Sequence, residues 1–385
     1  MRILHFIESG GLYGAEKVIL NLSGEMLRSG RFQPVVGCIV AGSGEPCALY
    51  DEAERQGFEA VRIVVRNGRL ALDLPRAGRQ LRAMGIDLIH SHGYKPSIWG
   101  SACRPWSGVP VMATCHLWFK GAGLPTKMKV MLEAEKLVNR SLRDLVAVSQ
   151  PIRDVLVRAG VPASRIHVIE NGVDVEGRPQ LSAAERSGLR DELGLPAGAF
   201  VVLNAARLNR QKGQWNLVRA ASLLRAEGGD IRILIVGGGP LEGELKALAK
   251  AEGVEDRVSL LGFRDDVDSL LQVADAFALP SQDEGMPMSL LEAVARRVPV
   301  IATAVGDIPQ VIRHRQSGWV IPREDPAALA AAITAILKAP DRGAALAAGA
   351  HGVVASRYSR AAMFAGYEKI YSGYAVNVEA TKGMS

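Results

Sequence analysis

Short runs of apolar, often β-branched residues alternate along the chain with longer segments whose apolar positions recur every three or four residues. The first kind predicts buried strands and the second amphipathic helices. Residues 2–8 make the first strand, followed by a glycine-rich loop at 9–14 and a helix over 15–29, with Val18, Ile19, Leu22 and Leu27 as its apolar face. Further strands are expected at 35–40, 59–65, 87–90, 109–114, 144–148 and 168–169, and helices at 46–56, 74–84 and 127–141. This alternation predicts a parallel sheet covered on both faces.

From about residue 175 to 195 the sequence turns polar, with a short helix at 182–193, and the interdomain linker is expected there. The pattern then restarts. Strands at 200–205, 231–236, 258–261, 276–279, 300–302 and 318–321 alternate with helices at 213–227, 241–252, 267–272 and 326–337. A last helix near 358–375 carries Tyr358, Phe364, Tyr367, Tyr371 and Tyr374. The expected organisation is therefore an α/β chain of two Rossmann-like doubly wound domains, residues 1–178 and 195–357.

Composition supports two domains. The chain has 385 residues, 48% of them apolar, enough for two cores. Its net charge of +6 is concentrated in residues 1–180. Such a field suits an anionic membrane surface, an anionic acceptor or nucleic acid. The basic residues are not interleaved with aromatics and no nucleic-acid-binding signature is present, so no nucleic-acid partner is expected. Cys38, Cys47, Cys103 and Cys115 lack metal-finger spacing and read as reduced thiols of a cytosolic protein. The opening MRILHFIES runs straight into a strand without signal-peptide character, and no run approaches the roughly 20 apolar residues of a spanning helix. The expected location is cytoplasmic, peripheral at the inner face of the membrane if a membrane is met.

In doubly wound sheets, ligands bind beyond the carboxyl ends of the strands. The polar or glycine-rich clusters at residues 10–14, 90–92, 116, 171–174, 207–212, 237–239 and 284–287 all fall at such ends. The stretch at 281–295 follows a buried strand and opens a helix whose first turn is expected to carry Gly285 and Pro287. Glu284 and Glu292 lie eight positions apart, a little over two helical turns, and so on a similar face. By themselves they read equally as surface glutamates or as ligand groups at a helix N-terminus. Arg207 and Lys212 flank a short strand-to-helix loop, where two cations suit a diphosphate that gains charge as a bond to it breaks. His90 and His92 have the i, i+2 spacing of a metal pair, but no third ligand is evident.

Taken together these motifs resemble a retaining glycosyltransferase of the GT-B fold, family 4, also called glycosyl transferases group 1. The matching segments run in family order: GGLYGAE at 10–16, ATCH at 113–116, VSQ at 148–150, ENGVD at 170–174, ARLNRQKG at 206–213, VGGGP at 236–240, LGF at 261–263, PSQDEGMPMSLLEA at 280–293 and GDIPQVI at 306–312. The resemblance implies two domains facing a central cleft, with the last helix crossing back to the N-terminal domain. It implies that Glu284 contacts hydroxyls of the donor sugar and Glu292 the nucleotide ribose. Arg207 and Lys212 would bind the donor diphosphate, with backbone amides brought to it by Gly14 backed by Gly11. The amides of Met286, Met288 and Ser289 would line the sugar and phosphate, and His116 would stand near the sugar's reacting face. Gly238 would be a further donor-binding residue, although VGGGP departs there from the commoner GDGP, and Gln310 replaces a frequent Glu.

The implied reaction moves a sugar from a nucleotide-diphosphate sugar, a UDP-sugar for preference, to an acceptor hydroxyl with retention, in polysaccharide or glycolipid synthesis. No cofactor and no metal are expected. Acceptor contacts are assigned to the N-terminal side, at His92, Trp118 and Lys120, with a glycan or lipid-linked acceptor. Alternatives are a GT-B-fold sugar-nucleotide epimerase and a non-catalytic sugar-binding protein. A dinucleotide oxidoreductase rests only on the GGG turn.

Overall fold

The computed structural model describes residues 1–42, 44–116, 126–176 and 179–382. The chain divides into two units, one of residues 1–172 with 360–385 and one of residues 173–359. The first unit holds seven parallel strands: β1 (Arg2–Ile7), β2 (Gln33–Val40), β3 (Glu59–Val64), β4 (Leu88–His92), β5 (Val111–Cys115), β6 (Leu145–Ala147) and β7 (Ile166–Val168), in the order β3-β2-β1-β4-β5-β6-β7. The second holds six: β8 (Phe200–Ala205), β9 (Ile231–Val236), β10 (Val258–Gly262), β11 (Ala276–Leu279), β12 (Val300–Thr303) and β13 (Trp319–Ile321), in the order β10-β9-β8-β11-β12-β13. Both orders reverse direction once, between β1 and β4 and between β8 and β11. Each unit is thus Rossmann-like, with its switch point between those strands.

Strand composition explains the burial. In β1, Leu4 and Phe6 join a core with Trp99 and Ile89, while Ile7 joins a second core with Ile19 and Val36. A parallel sheet covered on both faces needs apolar residues on both, and the two cores supply them. In the second unit a core around Phe200, Val202, Ile233, Leu217 and Ile333 lies between the sheet and helices Trp215–Ala226 and Pro326–Lys338.

Several boundaries differ from the sequence expectation. The short helix expected in the polar stretch is present at Ala183–Glu192, started by a capping box between Ser182 and Glu185, but the stretch expected to link the domains belongs to the second unit. Helix Tyr94–Ser107, which no expectation covers, contains Pro96 and Pro105. Pro96 falls in the first turn, where a missing N–H costs no helix bond, and Pro105 gives up one bond in the last turn. Helices Gln150–Arg158 and Ala344–Arg357 were also passed over. In helix Gly14–Ser29, Leu27 is 47% exposed rather than on the buried face, and Met26 is buried in its place.

The final helix, Arg360–Lys382, belongs to the first unit and packs beside helix Gly14–Ser29. Phe364, Tyr367, Tyr371 and Tyr374, spaced by three and four residues, are all buried. Phe32 meets this stripe, with its ring 6.3 Å from Phe364 and 5.5 Å from Tyr371. Two of the tyrosines use their hydroxyls inside the core: Tyr371 Oη lies 2.7 Å from His90 Nδ1, and Tyr367 Oη 3.0 Å from Thr114 Oγ1. Replacing Tyr371 with Phe leaves His90 Nδ1 without that partner in a dry site. The expected cost is about 1–2 kcal/mol, read as a lower urea midpoint with an unchanged m value.

Candidate functional site

The second unit's site is built where two loops emerge side by side from its switch point. β8 and β11 pair in parallel, so the loop at 206–214 and the loop at 280–287 leave the sheet together. The first contains a single 3-10 turn, Arg210–Lys212, whose N-cap Asn209 accepts from Lys212 N at 3.1 Å. The loops are joined through backbone and amide groups: Gln282 N donates to Gln211 O at 2.7 Å, and Gln211 Nε2 to Asp283 O at 2.9 Å.

Across this junction Lys212 Nζ lies 2.7 Å from both carboxylate oxygens of Glu284. Ser281 Oγ donates to Glu284 Oε1 at 2.6 Å, and the carbonyl of Ser281 accepts from Thr303 Oγ1 at 2.6 Å. The Glu284 side chain is only 5% exposed and that of Lys212 19%. An ammonium has three protons and a carboxylate about four lone-pair sites, so this pair leaves each group capacity for one more partner. The two groups thus partner each other while each can still bond to a ligand.

Glu284 does not stand on a helix. Helix Met288–Ala295 begins after Pro287, which is extended at φ −75° and ψ 123° and serves as its N-cap without a side-chain bond. The eight-residue spacing to Glu292 thus does not place both carboxylates on one helical face, since half of it is loop. Glu292 is half-buried within the helix. Met286 and Met288 are buried, and the amides of Met288 and Ser289 open the first turn. Arg207 is exposed at the start of its loop, and its carbonyl accepts from Gln214 Nε2 at 3.1 Å.

The glycines of residues 237–239 have a reason the sequence did not show. Gly237 and Gly239 have φ of +130° and +158°, and a Cβ on either would collide with the carbonyl oxygens of Ala206 and Leu208. They let the turn after β9 lie against the loop bearing Arg207. Gly238, between them, has open space at its Cβ position and accepts from Leu208 N at 2.9 Å.

In the first unit the loop after β1 leads to helix Gly14–Ser29, with Gly14 as its first residue. Glu16, not singled out in the sequence, accepts from Tyr13 N at 3.1 Å and from Ser9 Oγ at 3.0 Å, and burial raises its carboxyl pKa. Gly11 has φ +150° with the Tyr13 ring against it, so the loop folds on its own side chain.

The histidines are more connected than their spacing suggested. Parallel pairing sets His5 of β1 opposite His90 of β4, and His5, His90 and His92 bring ring nitrogens within 4.8 Å of one another. The third histidine missing from the sequence reading is thus His5, made visible only by strand register. All six ring nitrogens nevertheless have hydrogen-bond partners: His5 bonds Met26 Sδ and His92, His90 bonds Tyr371 and Thr114, and His92 bonds His5 and His116. His92, expected on the acceptor side, is 3% exposed and has both nitrogens occupied, so its ring has none left for an acceptor. Burial lowers the pKa of His116 to about 4 and holds the others low as well. Trp118 and Lys120 lie outside the described residues.

Gly213, at φ +65°, packs the first loop directly against the second, because a Cβ there would strike the Pro280 carbonyl. Gly213→Ala is expected to push the loops apart and destabilise the protein by about 1–3 kcal/mol, measured by denaturant unfolding.

The chain matches the model of "Glycosyltransferase Family 4" over residues 13–176 and that of "Glycosyl transferases group 1" over residues 185–351. It is 34% identical over 195 residues to an amylovoran biosynthesis glycosyltransferase of Erwinia amylovora, covering 49% of this chain and 46% of that protein. To a D-inositol 3-phosphate glycosyltransferase of Salinispora tropica it is 32% identical, covering 70% of this chain and 61% of the relative. The chain thus spans about half to two thirds of the length of these relatives. To a putative glycosyltransferase of Bacillus subtilis, EpsD, it is 31% identical, covering 69% of this chain and 70% of EpsD. Among solved structures, Anabaena HepE in complex with UDP and glucose superposes with a TM-score of 0.84 at 23% identity, covering 97% of this chain and all of HepE. The HepE complex with UDP-glucose superposes at 0.82, with 24% identity and the same coverage. These likenesses establish a GT-B fold. With both family models matched in order and EpsD aligned over most of its length, the chain belongs to the family 4 glycosyltransferases, glycosyl transferases group 1.

Proposed function

We propose that the chain transfers a sugar from a nucleoside-diphosphate sugar to an acceptor hydroxyl with retention of anomeric configuration. The observation that carries this reading is the half-buried Lys212–Glu284 pair at the switch point of the second sheet. It offers one cationic donor and one anionic acceptor within hydrogen-bond reach of each other. A donor molecule carries the complement: an anionic diphosphate beside a neutral, hydroxyl-bearing sugar. Glu284 would accept from a sugar hydroxyl, Lys212 and Arg207 would hold the diphosphate, and Glu292 would meet the ribose. UDP-sugar is the favoured donor, on the fold shared with HepE, whose complexes contain UDP, glucose and UDP-glucose.

Retention by double displacement would require a carboxylate nucleophile poised behind the sugar. Glu284 is a poor candidate, since Lys212 and Ser281 already hold its charge. In the proposed step the acceptor oxygen attacks the anomeric carbon on the face from which the diphosphate departs. The bond to the diphosphate breaks, and the acceptor's proton passes to the departing phosphate oxygen. The protein stabilises the charge that gathers on that phosphate through Lys212, Arg207 and the first amides of helix Met288–Ala295. No metal or cofactor takes part in this scheme.

The acceptor is assigned to a glycan or a lipid-linked glycan, in keeping with the polysaccharide biosynthesis named for the Erwinia amylovora relative. No helix among the described residues is long and apolar enough to cross a membrane. Helix Thr126–Ser141 exposes Lys129, Val130 and Leu137, a pairing of basic and apolar groups that suits peripheral contact with an anionic membrane from the cytoplasmic side.

The test is a panel of nucleotide sugars scored for thermal stabilisation, followed by measurement of nucleoside diphosphate released in the presence of acceptor. Lys212→Ala is expected to lower turnover about 100- to 1,000-fold with a far smaller effect on the melting temperature. Near-wild-type turnover in that variant would remove Lys212 from the reaction. Isomerisation of the nucleotide sugar without acceptor would favour an epimerase instead.

A further inference from the structure

A line of four side chains runs through the first unit from helix Gly14–Ser29 to the end of β5. Met26 Sδ lies 3.2 Å from His5 Nε2, His5 Nδ1 lies 3.1 Å from His92 Nε2, and His92 Nδ1 lies 2.9 Å from His116 Nε2. Met26, His5 and His92 are almost fully buried, while His116 is the one histidine of the line that reaches partial exposure. Every link between histidines joins a nitrogen to a nitrogen, so each needs one proton and one lone pair.

The sulfur settles where the protons are. A thioether has lone pairs and no proton, so it can only accept, and His5 Nε2 must carry the hydrogen. Burial lowers the His5 pKa to about 3 and keeps the ring neutral, which leaves Nδ1 bare. His92 Nε2 must then donate to it. His92 is neutral for the same reason, so its Nδ1 accepts, and His116 Nε2 must donate. In a neutral His116 the remaining nitrogen, Nδ1, carries the lone pair. The opposite direction would set a bare His5 nitrogen against the bare sulfur, two acceptors facing each other at 3.2 Å. His90 stands outside the line, because both of its nitrogens bond hydroxyls, which can donate or accept.

We propose that Met26, His5 and His92 are positioning residues that lock His116 as its Nε2–H tautomer, so that Nδ1 serves as an acceptor for a hydroxyl of the donor sugar. This rests on the reading of His116 as a sugar-facing group. Its chemical use follows from the transition state of glycosyl transfer, in which positive charge develops on the sugar ring. A lone pair presented to that sugar favours the developing charge, whereas an N–H dipole or an imidazolium would oppose it. The four residues thus act as a one-way proton wedge that transfers no proton.

The decisive measurement is a long-range proton–nitrogen correlation spectrum of protein labelled with nitrogen-15 in histidine, at pH 7. It reports which nitrogen of each ring is protonated, and His116 is assigned from the signal lost in His116→Gln. The expected result is a protonated Nε2 and a bare Nδ1 at His116. An Nδ1–H tautomer or an imidazolium there overturns the proposal, whether or not the protein transfers sugar. In Met26→Leu, which keeps an apolar group but removes the acceptor, His116 is expected to become a mixture of tautomers. Turnover is then expected to fall about tenfold, the size of one transition-state hydrogen bond, with KM for the nucleotide sugar changed less than kcat. An unchanged His116 pattern in Met26→Leu removes Met26 from the line. A wild-type protein that turns over no nucleotide sugar instead strikes the reading of function and leaves the tautomer assignment standing.

Discussion

The bond pattern between Lys212 and Glu284 exists because β8 and β11, separated by 70 residues of chain, lie side by side. That adjacency is a property of the doubly wound order, which reverses at this point and opens a crevice where two neighbouring loops leave the sheet together. Once the loops meet, the backbone bond from Gln282 to Gln211 and the amide of Gln211 on Asp283 fix their spacing. A charge pair with one member 5% exposed is costly to form unless its geometry is good and its remaining valences are met. Here Ser281, held in turn by Thr303, meets one of them.

The glycines around this junction serve the same constraint. Gly213 lies against the Pro280 carbonyl, Gly237 and Gly239 against the carbonyls of Ala206 and Leu208, and Gly306, at φ +55°, against the carbonyl of Glu284 itself. Four positive-φ glycines thus pack loop backbones closer than any side chain allows. The glycines at residues 237–239 were expected at the ligand end of their sheet, beyond a strand's carboxyl terminus. In the structure most of this cluster is spent on bringing protein backbone to protein backbone, and Gly238 alone is left with open space.

The first unit uses its switch point differently. Where the second unit holds opposite charges, β1, β4 and β5 hold neutral histidines and hydroxyls, covered by Tyr367 and Tyr371 of the final helix. Burial explains the difference: it lowers the pKa of these rings, which pair through their ring nitrogens and not with a carboxylate. The return of helix Arg360–Lys382 to the first unit is thus part of the same polar network, since Tyr371 completes His90.

Sequence alone determined the alternation of strands and helices and a chain of two Rossmann-like units, and it singled out Arg207, Lys212, Glu284 and Glu292, although the second unit begins at residue 173 and not at 195. These are local properties, because apolar period, turn glycines and the ordered motifs are each written in contiguous residues. Helix Tyr94–Ser107, with prolines in its first and last turns, had no counterpart in that reading, and the helix expected to carry Gly285 and Pro287 in its first turn begins only after Pro287. What only the tertiary structure decided were relations between distant residues. That Lys212 grips both oxygens of Glu284, that His5 completes a trio with His90 and His92, and that Met26 ends a line reaching His116 all depend on strand order and register. Register places side chains from separate strands on one face, and no spacing within a single segment carries that information.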